Sequence, residues 1–340
     1  MALLKPPHLA PGDTIGIVSP SWGGAGAFPH RAEQGARQLR ALGFNVKFAP
    51  HAFGRRGHVS DTPANRAADL HELFGDPQVS AVLAAIGGDH SCQLLPLLDF
   101  ELLRANPKVF MGYSDISVLN LAIHQRTGLV TFNGPALLTD FGEHPAMLDY
   151  TRAHFLAAVG AACPPGPQAP AAEWTEELLS WAEKKDLTRP RALQPSPGWT
   201  WLKPGAQPAQ GPLLGGCIES LQHLRGTPYW PDWTGAIFFW ETSEDKPSPE
   251  TIDGILMDYE NMGVLDQIAG MLVGRPMGYT AKEKERLNLY LLERTSAYHF
   301  PIVTGMDFGH TAPQLTLPLG CAARIDTQRQ EFAILEAAVS

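Results

Sequence analysis

Cysteine is scarce in this 340-residue sequence, contiguous positive charge is missing, and no long apolar run occurs. The four cysteines (Cys92, Cys163, Cys217, Cys321) stand far apart with no C-x-x-C spacing, which excludes a zinc finger or a dense disulfide scaffold and fits a reducing compartment. The net charge is −9 and no stretch is rich in Lys or Arg, so a surface for a nucleic acid polymer is not expected. No run approaches the ~18–20 apolar residues of a membrane span. The opening MALLKPPHLAPGDTIGIVSPS carries no apolar core of an export signal, so the cytoplasm is the expected location. With 44% hydrophobic and 18% charged residues the chain is of globular type, and long enough for two domains.

In the first half, short apolar runs alternate with amphipathic stretches. Strands are expected at 14–21, 44–50, 79–88 and 108–113, and helices at 32–42 and 65–74. Continuous apolar strands separated by helices predict a parallel sheet covered on both faces. Ligands of such sheets bind beyond the carboxyl ends of the strands, which singles out the loops 19–26, 87–92 and 112–117. Between Cys163 and Pro212 lie ten of the 30 prolines and four of the eight tryptophans (Trp174, Trp181, Trp199, Trp201). Such a segment is neither regular structure throughout nor a bare linker. It predicts a structured crossover, in which the indoles either overhang a site or staple two domains together. From residue 211 a second unit follows, with helices at 217–225, 249–261 (Ser248 as N-cap) and 282–297, strands at 235–241, 268–274 and from 301, and a closing hairpin. The divisions are 1–162, 163–210 and 211–340.

Within KVFMGYSDISVLNLAIHQRTG (108–128), a strand ends at Tyr113 and a helix opens after Ser114. A serine there presents its hydroxyl at the sheet edge beside the first N–H groups of the helix, as in a nucleophile elbow. Gly112 matches the first glycine of G-x-S-x-G, but Ile116 replaces the second. On this segment alone, Ser114 reads more readily as a helix cap than as a nucleophile. IGGDHS (86–91) exposes backbone N–H groups at a second strand end, as an oxyanion donor, a phosphate cradle or an ordinary turn.

A nucleophilic serine needs a base and an orienting acid. Of the twelve histidines, His71, His124 and His154 lie in predicted helices, where packed or solvated roles are the rule. His310 follows the strand PIVTGMDF and a glycine, and Glu241 ends the apolar strand AIFFW. The order Ser114, Glu241, His310 is one used by α/β hydrolases.

GYSDIS, LLGGCIESL (213–221), IFFWETSED (237–245) and GMDFGHTAPQLTLPLG (305–320), with the opening PGDTIGIVSPS and the IGG loop, together resemble the serine LD-carboxypeptidase family over nearly the whole chain. The resemblance implies a flavodoxin-like N-terminal α/β domain with a parallel sheet, and a smaller C-terminal α/β domain with its own sheet. It places the nucleophile at Ser114, the orienting acid at Glu241 and the general base at His310, with oxyanion donors at the N–H groups of Asp115 and Gly88. It implies no metal or cofactor, and a homodimer. Within the family, the insertion LLSWAEKKDLTRPR…GWTW is most similar to that of the microcin C self-immunity carboxypeptidases. These cleave a C-terminal amino acid from a nucleotide-like group, and a tryptophan of the corresponding loop, matched by Trp181, stacks on adenine. The substrate so implied is a small peptide or peptidyl-nucleotide. The other branch of the family removes terminal D-alanine from murein tetrapeptides. Two readings from other classes compete: an ATP-dependent kinase using the GGD loop, and a two-domain solute-binding protein, which would normally be exported.

Overall fold

The computed structural model describes residues 3–340. Its strands are β1 (Thr14–Val18), β2 (Asn45–Phe48), β3 (Val79–Ala84), β4 (Val109–Gly112), β5 (Phe132–Asn133), β6 (Gly166–Gln168), β7 (Glu173–Trp174), β8 (Gln194–Pro195), β9 (Thr200–Lys203), β10 (Ala209–Cys217), β11 (Ile237–Glu241), β12 (Gly270–Gly274), β13 (Ile302–Met306), β14 (Leu317–Pro318), β15 (Ala322–Asp326) and β16 (Glu331–Ile334). The N-terminal sheet has the order β14-β5-β4-β3-β1-β2, in which β1 to β5 are parallel. The run β2-β1-β3-β4-β5 is the flavodoxin-like doubly wound order.

Alternation along these strands divides the apolar residues between two cores. Ile15, Ile17, Ala81, Leu83, Val109 and Met111 face the helices Pro29–Ala41 and Asp149–Val159. Val18, Val82, Ala84 and Phe110 face Pro63–Gly75 and Ile116–Thr127. Both faces are therefore covered, as continuous apolar strands require.

The second core runs on without a break into the C-terminal half, where it takes in Phe238, Trp240 and Leu272. The C-terminal sheet, β6-β16-β15-β10-β11-β12-β13-β9, is mixed and has more strands than the N-terminal one. The Pro-rich crossover supplies both its edge strands, β6 and β9, and the β7–β8 ribbon besides. Strand β10 extends over LLGGC, so the helix expected from residue 217 begins at Ile218 and continues as a 3₁₀ turn, Gln222–Leu224. Ser248 does cap the helix Pro249–Asn261, accepting from the Thr251 amide.

Two features lock the halves together at the sheet edge. Gly216, at φ 150°, lies so close to the helix Ile116–Thr127 that an added Cβ would fall 2.3 Å from Ser117 Cβ and Oγ. The Ser117 hydroxyl in turn accepts from the Cys217 amide at 3.0 Å. The chain also leaves the C-terminal sheet after β13 and re-enters the N-terminal one as β14, antiparallel to β5. The connection 307–316 thereby crosses the seam beside the carboxyl end of β4. Among the described residues no helix is long and apolar enough to cross a membrane.

Candidate active site

Ser114 sits in the turn between β4 and the helix Ile116–Thr127 with φ 61°, a left-handed conformation that costs a non-glycine residue roughly 1–3 kcal/mol. Asp115, not Ser114, is the residue that precedes the helix, and the Ser114 side chain caps no helical amide. The elbow is held by close packing: a Cβ on Gly112 would lie 2.8 Å from Ile116 Cγ2 and 3.0 Å from Ala84 Cβ. The −2 position therefore has to be glycine, whereas the +2 side chain, Ile116, is buried core.

His310 arrives on the 307–316 connection and Glu241 at the end of β11. His310 Nε2 lies 3.0 Å from Ser114 Oγ, and His310 Nδ1 lies 2.7 Å from Glu241 Oε2. Residues distant in sequence and drawn from both halves thus form one hydrogen-bonded chain. Glu241 is 1% exposed and His310 lies beneath Tyr113, whose ring is 5.1 Å away. Burial pushes the Glu241 carboxyl up, with His310 opposing it. Burial alone would push the His310 imidazole down, but its two carboxylate neighbours override that and hold it well above its ordinary value. The second neighbour is Glu244, whose Oε2 lies 3.0 Å from Nε2, the same nitrogen that faces Ser114.

The IGG loop closes over the serine from β3. A Cβ on Gly87 would fall 2.7 Å from Ser114 Cβ and 3.2 Å from the Asp115 nitrogen. Neither the Asp115 nor the Gly88 amide donates to a protein acceptor among the described residues. With a neutral imidazole at His310, the arrangement can remove a proton from Ser114. Sequence reasoning did not find Gly87 or Glu244. The former is hidden in a common Gly-Gly pair, and the latter in an acidic stretch, SED, that reads as solvated surface.

Ser114 opens into a cavity of about 700 Å³, the size of drug- and nucleotide-like ligands. Trp22, Phe28 and Trp181 form an aromatic wall, with Trp22–Phe28 and Phe28–Trp181 centroids 5.9 and 5.5 Å apart. Trp181 is half-buried, and the Arg31 guanidinium lies 4.7 Å from its ring centroid. Arg31 also pairs with Asp186 at 3.2 Å and Arg191 with Glu143 at 2.6 Å, which ties the crossover to the N-terminal half. The other crossover indoles are structural. Trp174 packs beneath Arg275 and Lys284, Trp199 donates to Asp307, and Trp201 pairs in the sheet with Val303. Trp181 thus overhangs the cavity, whereas Trp174, Trp199 and Trp201 fasten the crossover to the C-terminal half. His71 accepts from the Asp99 amide, His124 contacts the Leu129 carbonyl and His154 packs on Tyr150, all away from Ser114.

Residues 15–134 match the LD-carboxypeptidase N-terminal domain and 210–325 the LD-carboxypeptidase C-terminal domain. The chain is 32% identical to the microcin C7 self-immunity protein MccF of Escherichia coli, over 96% of this chain and 94% of that protein. It is 33% identical to a probable murein peptide carboxypeptidase of Bacillus subtilis, over 99% of this chain and 95% of that one. A solved structure of MccF in complex with glutamyl sulfamoyl guanosine superposes with a TM-score of 0.90 at 30% identity, covering 99% of this chain and 100% of that one. Two full-length matches and both domain models remove the kinase and solute-binding readings, and the chain belongs to the LD-carboxypeptidase family of serine peptidases.

Proposed function

We propose that this enzyme cleaves an amide bond between an amino acid and a nucleotide-like group, with Ser114 as nucleophile. The observation that carries the substrate reading is that Trp181 and its aromatic neighbours share one cavity with Ser114. His310 takes the Ser114 proton as Oγ bonds to the carbonyl carbon, and Glu241 holds the imidazole tautomer. The Asp115 and Gly88 amides stabilise the tetrahedral oxyanion. His310 then passes its proton to the leaving nitrogen as the C–N bond breaks, and water releases the acyl group from Ser114. MccF, solved with an aminoacyl sulfamoyl nucleoside, supports this substrate class. Cytoplasmic location belongs to the same reading, supported by four unpaired cysteines. A homodimer is also part of it, on the family resemblance.

A direct assay sets an aminoacyl sulfamoyl adenosine against a murein tetrapeptide, the substrate class that the Bacillus subtilis relative's name favours. Stacking on a base contributes about 1–3 kcal/mol, so Trp181→Ala should reduce kcat/KM on the nucleoside about 5- to 150-fold. Phe at 181 should restore part of the loss, and the tetrapeptide should barely respond. Equal losses on both substrates with a lowered melting temperature would assign Trp181 to packing on Phe28 and Arg31.

A further inference from the structure

His310 sits between two carboxylates, one on each ring nitrogen. Glu241 takes Nδ1 from inside the protein, and Glu244 takes Nε2 from the cavity side. A carboxylate only accepts, so the contact with Glu244 favours a proton on Nε2, the nitrogen that also lies 3.0 Å from Ser114 Oγ. With Nδ1–H already donated to Glu241, the ring is then an imidazolium and cannot receive the Ser114 proton. The two partners differ in freedom. The Glu241 side chain is fully buried, whereas the Glu244 side chain is 57% exposed, on the loop between β11 and the helix Pro249–Asn261.

The charges of the cavity indicate what would move Glu244. Both lining arginines are already paired, Arg31 with Asp186 and Arg191 with Glu143. Glu177 is held by Arg189, and Asp140 takes hydrogen bonds from Ala136, Thr139 and Gln314. Asp89 and Glu244 are left, and of the two only Glu244 faces the base itself, among the described residues. From Ser114 Oγ to Glu244 Oε2 the path through His310 Nε2 is two legs of 3.0 Å, so the carboxylate lies within about 6 Å of the reacting oxygen. A carbonyl bound at Ser114 carries its own α-nitrogen within that distance.

We propose that Glu244 is a positioning residue that keeps His310 protonated in the free enzyme, and that the ammonium group of an aminoacyl substrate draws it away, so that the Nε2 proton passes to solvent and the base is free. The proposal rests on the reading of Ser114 and His310 as nucleophile and base. The groups facing His310 from neighbouring elements are Glu241 on β11, Glu244 after it, and Tyr113 before the elbow. Cys217 and Glu219 stand behind Glu241, and Asp140 lies along the cavity wall. Burial raises the Tyr113 phenol, which stays neutral, so Glu244 is the displaceable charge in the set. Its own carboxyl is lowered to about 2, chiefly by the hydrogen bond to His310, so it is ionised wherever the enzyme would work.

The sign follows directly. Glu244 favours the imidazolium, so its removal lowers the pH below which the base is lost. An opposite charge at this distance shifts a titration by about 1–3 units. The test compares wild type with Glu244→Gln by two readouts. The first is the rate at which a neutral fluorophosphonate labels Ser114 from pH 5 to 9. Its acid limb should move down by at least about one unit, making the variant roughly tenfold faster near pH 6. The second is kcat/KM on an aminoacyl sulfamoyl adenosine with a free α-amine and on its N-acetyl derivative. Wild type should prefer the free amine at least about tenfold, and Glu244→Gln should narrow that preference by raising turnover of the N-acetyl compound. An unmoved acid limb overturns the proposal, and so does an unchanged preference or an equal loss on both compounds, which is the signature of a packing role. A wrong substrate class would appear instead as no turnover of either compound by wild type, while the labelling limb still decides whether Glu244 holds the base.

Discussion

Ser114→Ala should lower kcat/KM by about 10⁴- to 10⁶-fold, the scale on which removal of a nucleophile acts when it works as a unit with its base. The rest of the site should survive. Only one oxygen is lost, the residue keeps its Cβ against the IGG loop, and the strained φ of 61° is unchanged. Ser114→Gly separates strain from chemistry. It should be as inactive as the alanine variant but at least as stable, because glycine adopts positive φ without the roughly 1–2 kcal/mol that a side chain costs there. Steady-state kinetics with melting curves on the three proteins measures both. Turnover within tenfold of wild type in a folded Ser114→Ala protein would end the serine mechanism.

Glu241→Gln comes second in size, at about 10⁴-fold in kcat. The substitution preserves shape at a site 1% exposed, so the loss would come from the imidazole rather than from packing. A glutamine amide can donate to Nδ1, which turns the ring so that Nε2 carries the proton and cannot accept one from Ser114. Glu244 cannot take over, since it faces Nε2 and favours the same unproductive form. The measurement is kcat across pH with far-ultraviolet circular dichroism as a control for folding. A loss of less than about tenfold would mean that the connection 307–316 orients His310 without its acid.

Much of this was legible because the chemistry-bearing residues end regular elements. Ser114 and Glu241 each follow a continuous apolar strand, and His310 follows another, so periodicity alone put them at carboxyl ends of strands. What periodicity could not supply is which ends meet. The Ser114–His310 contact depends on the crossing from β13 to β14, and β14 is two residues, Leu317 and Pro318, with no pattern to read. The edge strands β6 and β9 were hidden for a related reason. Proline is tolerated at a sheet edge, where an N–H can be spared, so a Pro-rich crossover and an edge strand look alike in sequence. Gly216 was visible only as part of a motif. Its physical reason, the 2.3 Å approach to Ser117, belongs to the packing of β10 on the nucleophile's helix. Glu244 lies in the acidic stretch SED and is more than half exposed; its role depends on a neighbour sixty-six positions away.

The central claim is that the acyl group passes through an ester on Ser114, and one measurement meets it directly. The enzyme is mixed with an aminoacyl sulfamoyl adenosine, quenched in acid within the first turnovers, digested and examined by mass spectrometry. Acid quenching protonates His310 and stops deacylation, so an ester formed in turnover is retained. The predicted result is the mass of the aminoacyl group on the peptide that contains Ser114, absent from Ser114→Ala and transient in wild type. Steady turnover of the same compound with Ser114 unmodified at every quench time, and an undiminished rate in Ser114→Ala, would contradict it.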